Sequence, residues 1–62
     1  MKKIRCSSNP EDFLEVSVSC GCAYIDTRQG RESTEIELSP DKIRKLRKQL
    51  KYALIKIEAY RT

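Results

Sequence analysis

Three cysteines are the residues in this chain of 62 whose type most readily suggests chemistry. Cys20 and Cys22 flank Gly21, and Cys6 stands apart from them. A Cys-Gly-Cys spacing is tighter than the pairs usual in zinc sites, and the chain has no histidine, so a metal site would need a ligand from a second copy. A disulfide from Cys6 to one of the others would require an oxidising compartment. The odd number, without a paired framework, favours free and partly buried thiols.

Other groups that could catalyse a reaction are scarce. Glu35 and Glu37 share one face of a predicted strand and resemble a carboxylate pair, but on the outer face of a sheet they are expected to be ordinary solvated charges. A cysteine nucleophile would lack the histidine that activates it, and the chain has neither a glycine-rich phosphate loop nor a serine in a nucleophile elbow. We therefore predict a protein that is not an enzyme, without catalytic residues, metal or cofactor.

The first two thirds of the chain have the alternating pattern of half-buried β-strands. In the clearest strand, Leu14, Val16 and Val18 fall on one face and polar residues on the other. Gly21 and Gly30 are placed where the chain is expected to reverse. The pattern predicts an antiparallel meander of three strands at about residues 13–19, 23–27 and 33–38, or of four strands if about residues 2–6 add a short edge strand.

One amphipathic helix is predicted at about residues 40–60. Ser39 can cap it, Pro40 suits its first position, and Asp41 places negative charge in its first turn. Its apolar residues fall within an arc of about 120°, the width of a core-facing surface. We call them the apolar stripe: Ile43, Leu46, Leu50, Ala53, Leu54, Ile57 and Tyr60.

These elements predict an α+β fold in a single domain of residues 1–62. The helix is expected to pack on one face of an antiparallel meander, with its apolar stripe closing the core. At about 33 Å the helix is longer than the strands, so one end is expected to project. A chain this short has a thin core, and oligomerisation commonly supplements it. We therefore expect a homo-oligomer, with a homodimer as the leading form.

Charge is divided unevenly along the chain, whose net charge is +4. Residues 42–62 hold eight basic side chains and one acidic, for +7, whereas residues 1–41 hold five basic and eight acidic, for −3. Asp41 is expected to reach Lys45, but most of the helix has like charges at four-residue spacing, which repel. An anionic partner would offset this repulsion. Nucleic acid and an acidic protein surface both remain candidates.

Two apolar residues interrupt the basic side of the helix. Tyr52 lies about 180° from Ile43 on the helical wheel, and Ile55 lies on the same side. An aromatic residue on a basic surface resembles the anchor of a protein interface, whereas a duplex-binding helix more often presents arginine or amide side chains. The predicted partner-binding face consists of Lys45, Lys48, Lys51, Tyr52, Ile55 and Lys56.

No run of the chain approaches the roughly 20 apolar residues needed to span a bilayer. The basic residues at the start are not followed by the apolar stretch of a secretory signal. We therefore expect a cytoplasmic protein without a membrane partner.

The step from the last strand into the helix resembles one found in small phage-encoded proteins. Ile36-Glu37-Leu38-Ser39-Pro40-Asp41, followed by the leucine repeat of the helix, is similar to their V-x-L-[ST]-P-E step over about residues 14–57. This chain departs from the pattern in having Asp41 in place of the usual Glu and a far more basic helix. The group is of largely unknown function, and no residue roles transfer from it.

The resemblance implies a setting in which proteins of this size regulate or inhibit host or defence proteins stoichiometrically. Together with the helix surface, it gives the hypothesis of a small non-enzymatic interaction protein that binds a larger protein as a homodimer. The alternative is a nucleic-acid-binding protein that uses the same basic helix.

Overall fold

The computed structural model describes residues 3–61, with side chains described through residue 60. Four antiparallel strands form one sheet in their chain order, and a single helix follows. The α+β fold with a C-terminal helix is confirmed, and the short first strand is present. The elements are β1 (Ile4–Arg5), β2 (Phe13–Ser19), β3 (Cys22–Gln29), β4 (Glu32–Leu38) and α1 (Pro40–Arg61).

Two tight hairpins make β3 and β4 longer than the sequence pattern predicted, whereas β2 has the predicted bounds. Strand β3 extends from Cys22 to Gln29 because each reversal takes only two residues. Cys20 and Gly21 both have positive φ, 52° and 76°, as in a type I′ turn. Gly30 has a φ of 60° and is followed by Arg31, the order found in a type II′ turn. At the other end, β1 covers only Ile4–Arg5, and residue 2 of the predicted strand lies outside the described residues.

The loop between β1 and β2 is tied to the hairpin between β3 and β4. The Cys6 amide donates to the Asp12 carbonyl (2.8 Å), and the Asp12 amide donates to the Asn9 carbonyl (3.0 Å). The Asp12 carboxylate then accepts a hydrogen bond from the Gly30 amide at 3.0 Å. This bond joins residues that are distant in the chain and holds the same end of the sheet together.

Strand pairing separates the sheet into an apolar and a polar face. Residues directly opposite in an antiparallel pair lie on the same face, so the pairs Val16–Ile25 and Ile25–Ile36 continue one apolar row across three strands. Charged residues of the central strands occupy the other face. The apolar sheet face consists of Ile4, Leu14, Val16, Val18, Ala23, Ile25, Ile36 and Leu38.

The core is confined to one end of this face. Among the described residues only Ala23 is buried, with 6% of its surface exposed. The helix contacts β3 and β4, and Leu46 is the only residue among the described helical side chains that is half-buried rather than exposed. Contact is therefore limited to about the first two turns of α1.

The expectation that the whole apolar stripe closes the core is corrected by this arrangement. Leu50, Leu54 and Ile57 are each more than half exposed, and Tyr60 is 91% exposed. The physical reason is the direction of the helix. It starts directly after β4 and leaves the sheet instead of crossing it. Most of the helix, and not only one end as predicted, therefore projects beyond the sheet. Within residues 3–61 no helix combines the length and apolar character that crossing a bilayer requires.

The turn at Cys20 gives a prediction about stability. Cys20 is a non-glycine residue with positive φ, a conformation that asparagine tolerates better than cysteine. We expect Cys20→Asn to raise the free energy of unfolding by about 0.5 to 1 kcal/mol, because the left-handed conformation costs asparagine less than other non-glycine residues. Cys20→Val, which adds a β-branched residue at the same position, should lower it by at least as much. Denaturant titration of both variants at equal protein concentration measures the difference, and an unchanged midpoint for both would contradict the turn assignment.

Candidate partner-binding face of the helix

The helix begins where the sequence predicted and presents its residues with regular spacing. The Ile43 amide donates to the Ser39 carbonyl at 2.9 Å, which is the first bond of the helical ladder. From there α1 continues to Arg61 without interruption. Tyr52 therefore lies on the side of the helix opposite the apolar stripe, and the described side chains of the partner-binding face are all exposed.

Tyr52 is the centre of this face. The Lys56 ammonium lies 5.2 Å from the centroid of its ring, one helical turn further along, within cation–π distance. The ring remains 58% exposed, and Ile55 is exposed to a similar extent. The aromatic side chain is thus supported on one side by its own helix and open to a partner on the other.

A shallow groove with mainly apolar walls runs beside Tyr52. Its lining residues are Lys48, Gln49, Lys51, Tyr52 and Ile55. Four of these were predicted from the sequence. Gln49 was missed because on the helical wheel it lies near the edge of the apolar stripe. Lys45 is exposed on the same side of the helix but does not line the groove.

A second groove is lined entirely by cationic side chains. Arg44, Arg47, Lys48 and Lys51 surround it, so Lys48 and Lys51 belong to both grooves. The Arg44 guanidinium donates to the Asp41 carboxylate at 2.8 Å, so Asp41 pairs with Arg44 and not with Lys45 as predicted. This is the one ion pair among the side chains that the structure describes, and both partners are exposed. It leaves most of the positive charge of the helix without compensation from an acidic neighbour.

The polar sheet face has the opposite charge. Strand register places Glu15, Asp26 and Glu35 directly beside one another across three strands. A hydrogen bond with Asp26, together with the negative charge of that residue, raises the pKa of Glu35 above its ordinary value. Glu37 lies opposite Tyr24, and its charge raises the pKa of the Tyr24 phenol. The molecule is therefore acidic on the sheet and basic on the helix.

All three cysteines are free thiols. The Ser8 hydroxyl lies 3.3 Å from Cys6 Sγ, and this hydrogen bond, with two from the backbone, lowers the pKa of Cys6. A hydrogen bond with Glu37 raises the pKa of Cys22, which lies beside the acidic row. Among residues 3–61, no group of three or more potential metal-ligating side chains is close enough to hold an ion.

Comparisons of the chain with protein-family models, with curated proteins and with solved structures found no match.

The acidic row predicts a dependence of stability on pH. Because the pKa of Glu35 is raised in the folded state, its protonated form favours folding, and this contribution is lost as pH rises through that pKa. We expect Glu35→Gln to melt at a higher temperature than the natural protein at pH 7. The difference should shrink as pH falls below the ordinary glutamate pKa. Glu11→Gln, in an exposed loop, is the matched control and should change little; equal melting of Glu35→Gln and the natural protein at pH 7 would contradict the prediction.

Proposed function

We propose that this chain is a small non-enzymatic interaction protein that binds another protein through the Tyr52 side of its helix. The observation that supports it most is the groove beside Tyr52. It combines an exposed aromatic ring and Ile55 with lysines, on a helix surface that the chain's own fold does not use. Aromatic anchors within a charged rim are typical of interface hot spots.

The apolar groove and the surrounding lysines indicate what kind of surface the partner presents. An apolar side chain from the partner would fill the groove against Tyr52 and Ile55. Acidic residues around that side chain would pair with Lys45, Lys48, Lys51 and Lys56 and offset their mutual repulsion. The partner is thus an acidic protein surface with a protruding apolar residue.

The biological setting is also part of the proposal. The resemblance of the strand-to-helix step to small phage-encoded proteins supports a role in the host cytoplasm as a stoichiometric inhibitor or modulator of a host or defence protein. We propose further that the protein acts as a homodimer, because one chain covers so little of its own apolar surface.

The second candidate function is nucleic-acid binding, which the all-cationic groove favours. Arg44, Arg47, Lys48 and Lys51 could contact successive phosphates along one strand. In that case the charge of the groove would dominate the affinity, and Tyr52 would contribute little to binding a duplex.

The protein-binding proposal predicts that Tyr52 matters more than any single lysine. The tagged protein would be used to isolate its partner from host extract, and the affinity of the purified pair would then be measured by calorimetry. We expect Tyr52→Ala to weaken binding at least tenfold, about 1.4 kcal/mol, and each lysine-to-alanine change by about two- to threefold. Glu11→Ala, on the β1–β2 loop, is the control and should leave the affinity unchanged. A Tyr52→Ala affinity within twofold of the natural protein would exclude the proposed anchor.

The nucleic-acid alternative predicts a different pattern with labelled duplex DNA and single-stranded RNA. Affinity would fall steeply as salt is raised, and Lys48→Glu would weaken it strongly while Tyr52→Ala had little effect on the duplex. Arg47→Ala would reduce the slope of log affinity against log salt by about one. The protein-binding proposal expects no salt-sensitive retention of either nucleic acid.

A further inference from the structure

One chain exposes much more surface than a folded protein of its size. Its accessible surface is 5832 Å², whereas a compact monomer of 7.2 kDa would expose about 4,100 Å². Its radius of gyration is 13.6 Å against about 10.6 Å for a compact domain of 62 residues. The excess surface, about 1,700 Å² per chain, is an amount that an interface could cover.

Two apolar surfaces contribute to the excess. On the apolar sheet face, Val18 of the inner strand β2 and Ile36 of the edge strand β4 are each about 60% exposed. On the helix, the stripe from Leu50 to Tyr60 has no cover. Each is a surface of the kind that normally packs against the other in a helix-on-sheet layer. Within one chain the two surfaces do not cover each other, because the helix contacts the sheet only through its first turns.

We propose that a second copy of the chain covers both surfaces. The apolar stripe of each helix packs across the apolar sheet face of the other copy, so that the same contact forms twice about a twofold axis. This rests on the homodimer of the proposed function and specifies its interface. Obligate homodimers bury about 2,000 to 5,000 Å² in total, and twice the excess of one chain falls within that range.

The dimensions of the two surfaces match. From Leu50 to Tyr60 the helix rises about 15 Å. Three spacings between neighbouring strands make the sheet about 14 Å wide from β1 to β4. One uncovered segment of helix is therefore long enough to cross all four strands of the partner.

Charge disfavours pairing of the two stripes with each other. Arg47, Lys51 and one acidic residue, Glu58, flank the stripe on one side, so two stripes in contact would bring flanks of net positive charge together. On the apolar face of a partner sheet the helix would instead meet Glu32 of β4, which shares that face with Ile36, whereas Glu35 and Glu37 lie on the polar face. Crossing a sheet thus avoids the repulsion between two basic helices.

Charge also disfavours a dimer formed by pairing of two β4 strands. Strand β4 is an open edge of the sheet, and such edges can add a strand from another chain. Glu35 and Glu37 share the polar face of β4 and would then lie beside those of a second copy, and like charges across a strand pair destabilise it.

This dimer would leave the candidate partner-binding face free. Tyr52 lies opposite the stripe, so covering Leu54 and Ile57 does not cover Tyr52 or Ile55. The assembly would present two such faces and could engage a partner with two equivalent sites more tightly than one face could.

The test uses two charge substitutions, Ile36→Lys on the sheet and Leu54→Glu on the helix. Both side chains are more than half exposed in one chain, so the changes disturb its own packing little. Sedimentation should give twice the 7.2 kDa chain mass for the natural protein. Each variant should weaken association more than about a hundredfold, because a charge would be buried in an apolar contact. Ser33→Lys on the polar sheet face and Tyr52→Glu on the opposite side of the helix are the controls and should remain dimeric.

Mixing the two variants in equal amounts decides between arrangements. The mixed dimer keeps one natural stripe-on-sheet contact, and in the other contact the introduced carboxylate lies near the introduced ammonium, so the dimer mass should return. If a separated variant loses its fold, circular dichroism should show helicity returning with the dimer on mixing. Ile36→Lys remaining dimeric alone would indicate stripe-to-stripe pairing, and Leu54→Glu remaining dimeric alone would indicate sheet-to-sheet pairing. Either result, a failure of mixing, or a natural protein of 7.2 kDa overturns the proposal.

The same variants separate this inference from the proposed function. A dimer that behaves as described but shows no Tyr52-dependent binding would contradict the protein-binding proposal alone. Tyr52-dependent binding by a natural protein that sediments as a single chain would contradict the dimer alone.

Discussion

A β-sheet with one apolar face must have that face covered, and in this chain the helix covers only a corner of it. Contact ends after about two turns, where Leu46 is half-buried and Ala23 is the single buried residue among those described. Folding stability is a small difference between large terms, so a protein that buries so little apolar surface has little to offset the entropy of ordering its chain. The backbone hydrogen bonds of the sheet and helix maintain local structure, but they do not replace a core. The strands and the helix are therefore all formed, but the helix and the sheet do not pack together over most of their apolar surfaces.

This shortage gives the two sides of the helix different meanings. The apolar stripe is a packing surface, because its first turns contact the sheet and the proposed dimer would cover the rest. The side with Tyr52 and Ile55 takes no part in covering the sheet. The exposed ring of Tyr52 lies beside Lys56 of the same helix and is not needed for the fold. For that reason the functional proposal rests on this side. The separation also means that association and partner binding can be altered independently.

Charge is also divided between two surfaces of the molecule. The acidic row on the polar sheet face and the basic helix both contain like charges at close spacing, which stabilise neither element alone. Natural proteins retain such repulsion where it serves recognition or prevents wrong contacts. In the proposed dimer Glu35 and Glu37 oppose edge-to-edge pairing of β4, and Glu32 lies on the sheet face that meets a basic helix from the other copy.

Local sequence patterns were enough to predict the strands and the helix, because a period of two residues and a spacing of three to four residues are properties of neighbouring positions. Leu14 to Val18 and the residues from Ser39 to Asp41 were enough to place a strand and the start of the helix. The tight turn at Cys20 and the pairing of Asp41 with Arg44 depended on backbone and side-chain geometry that composition does not show. The three-dimensional structure was needed to identify Gln49 as a residue that lines the groove. Only the tertiary structure shows the direction of the helix. The spacing of the apolar stripe is the same whether the chain's own sheet or another surface covers it.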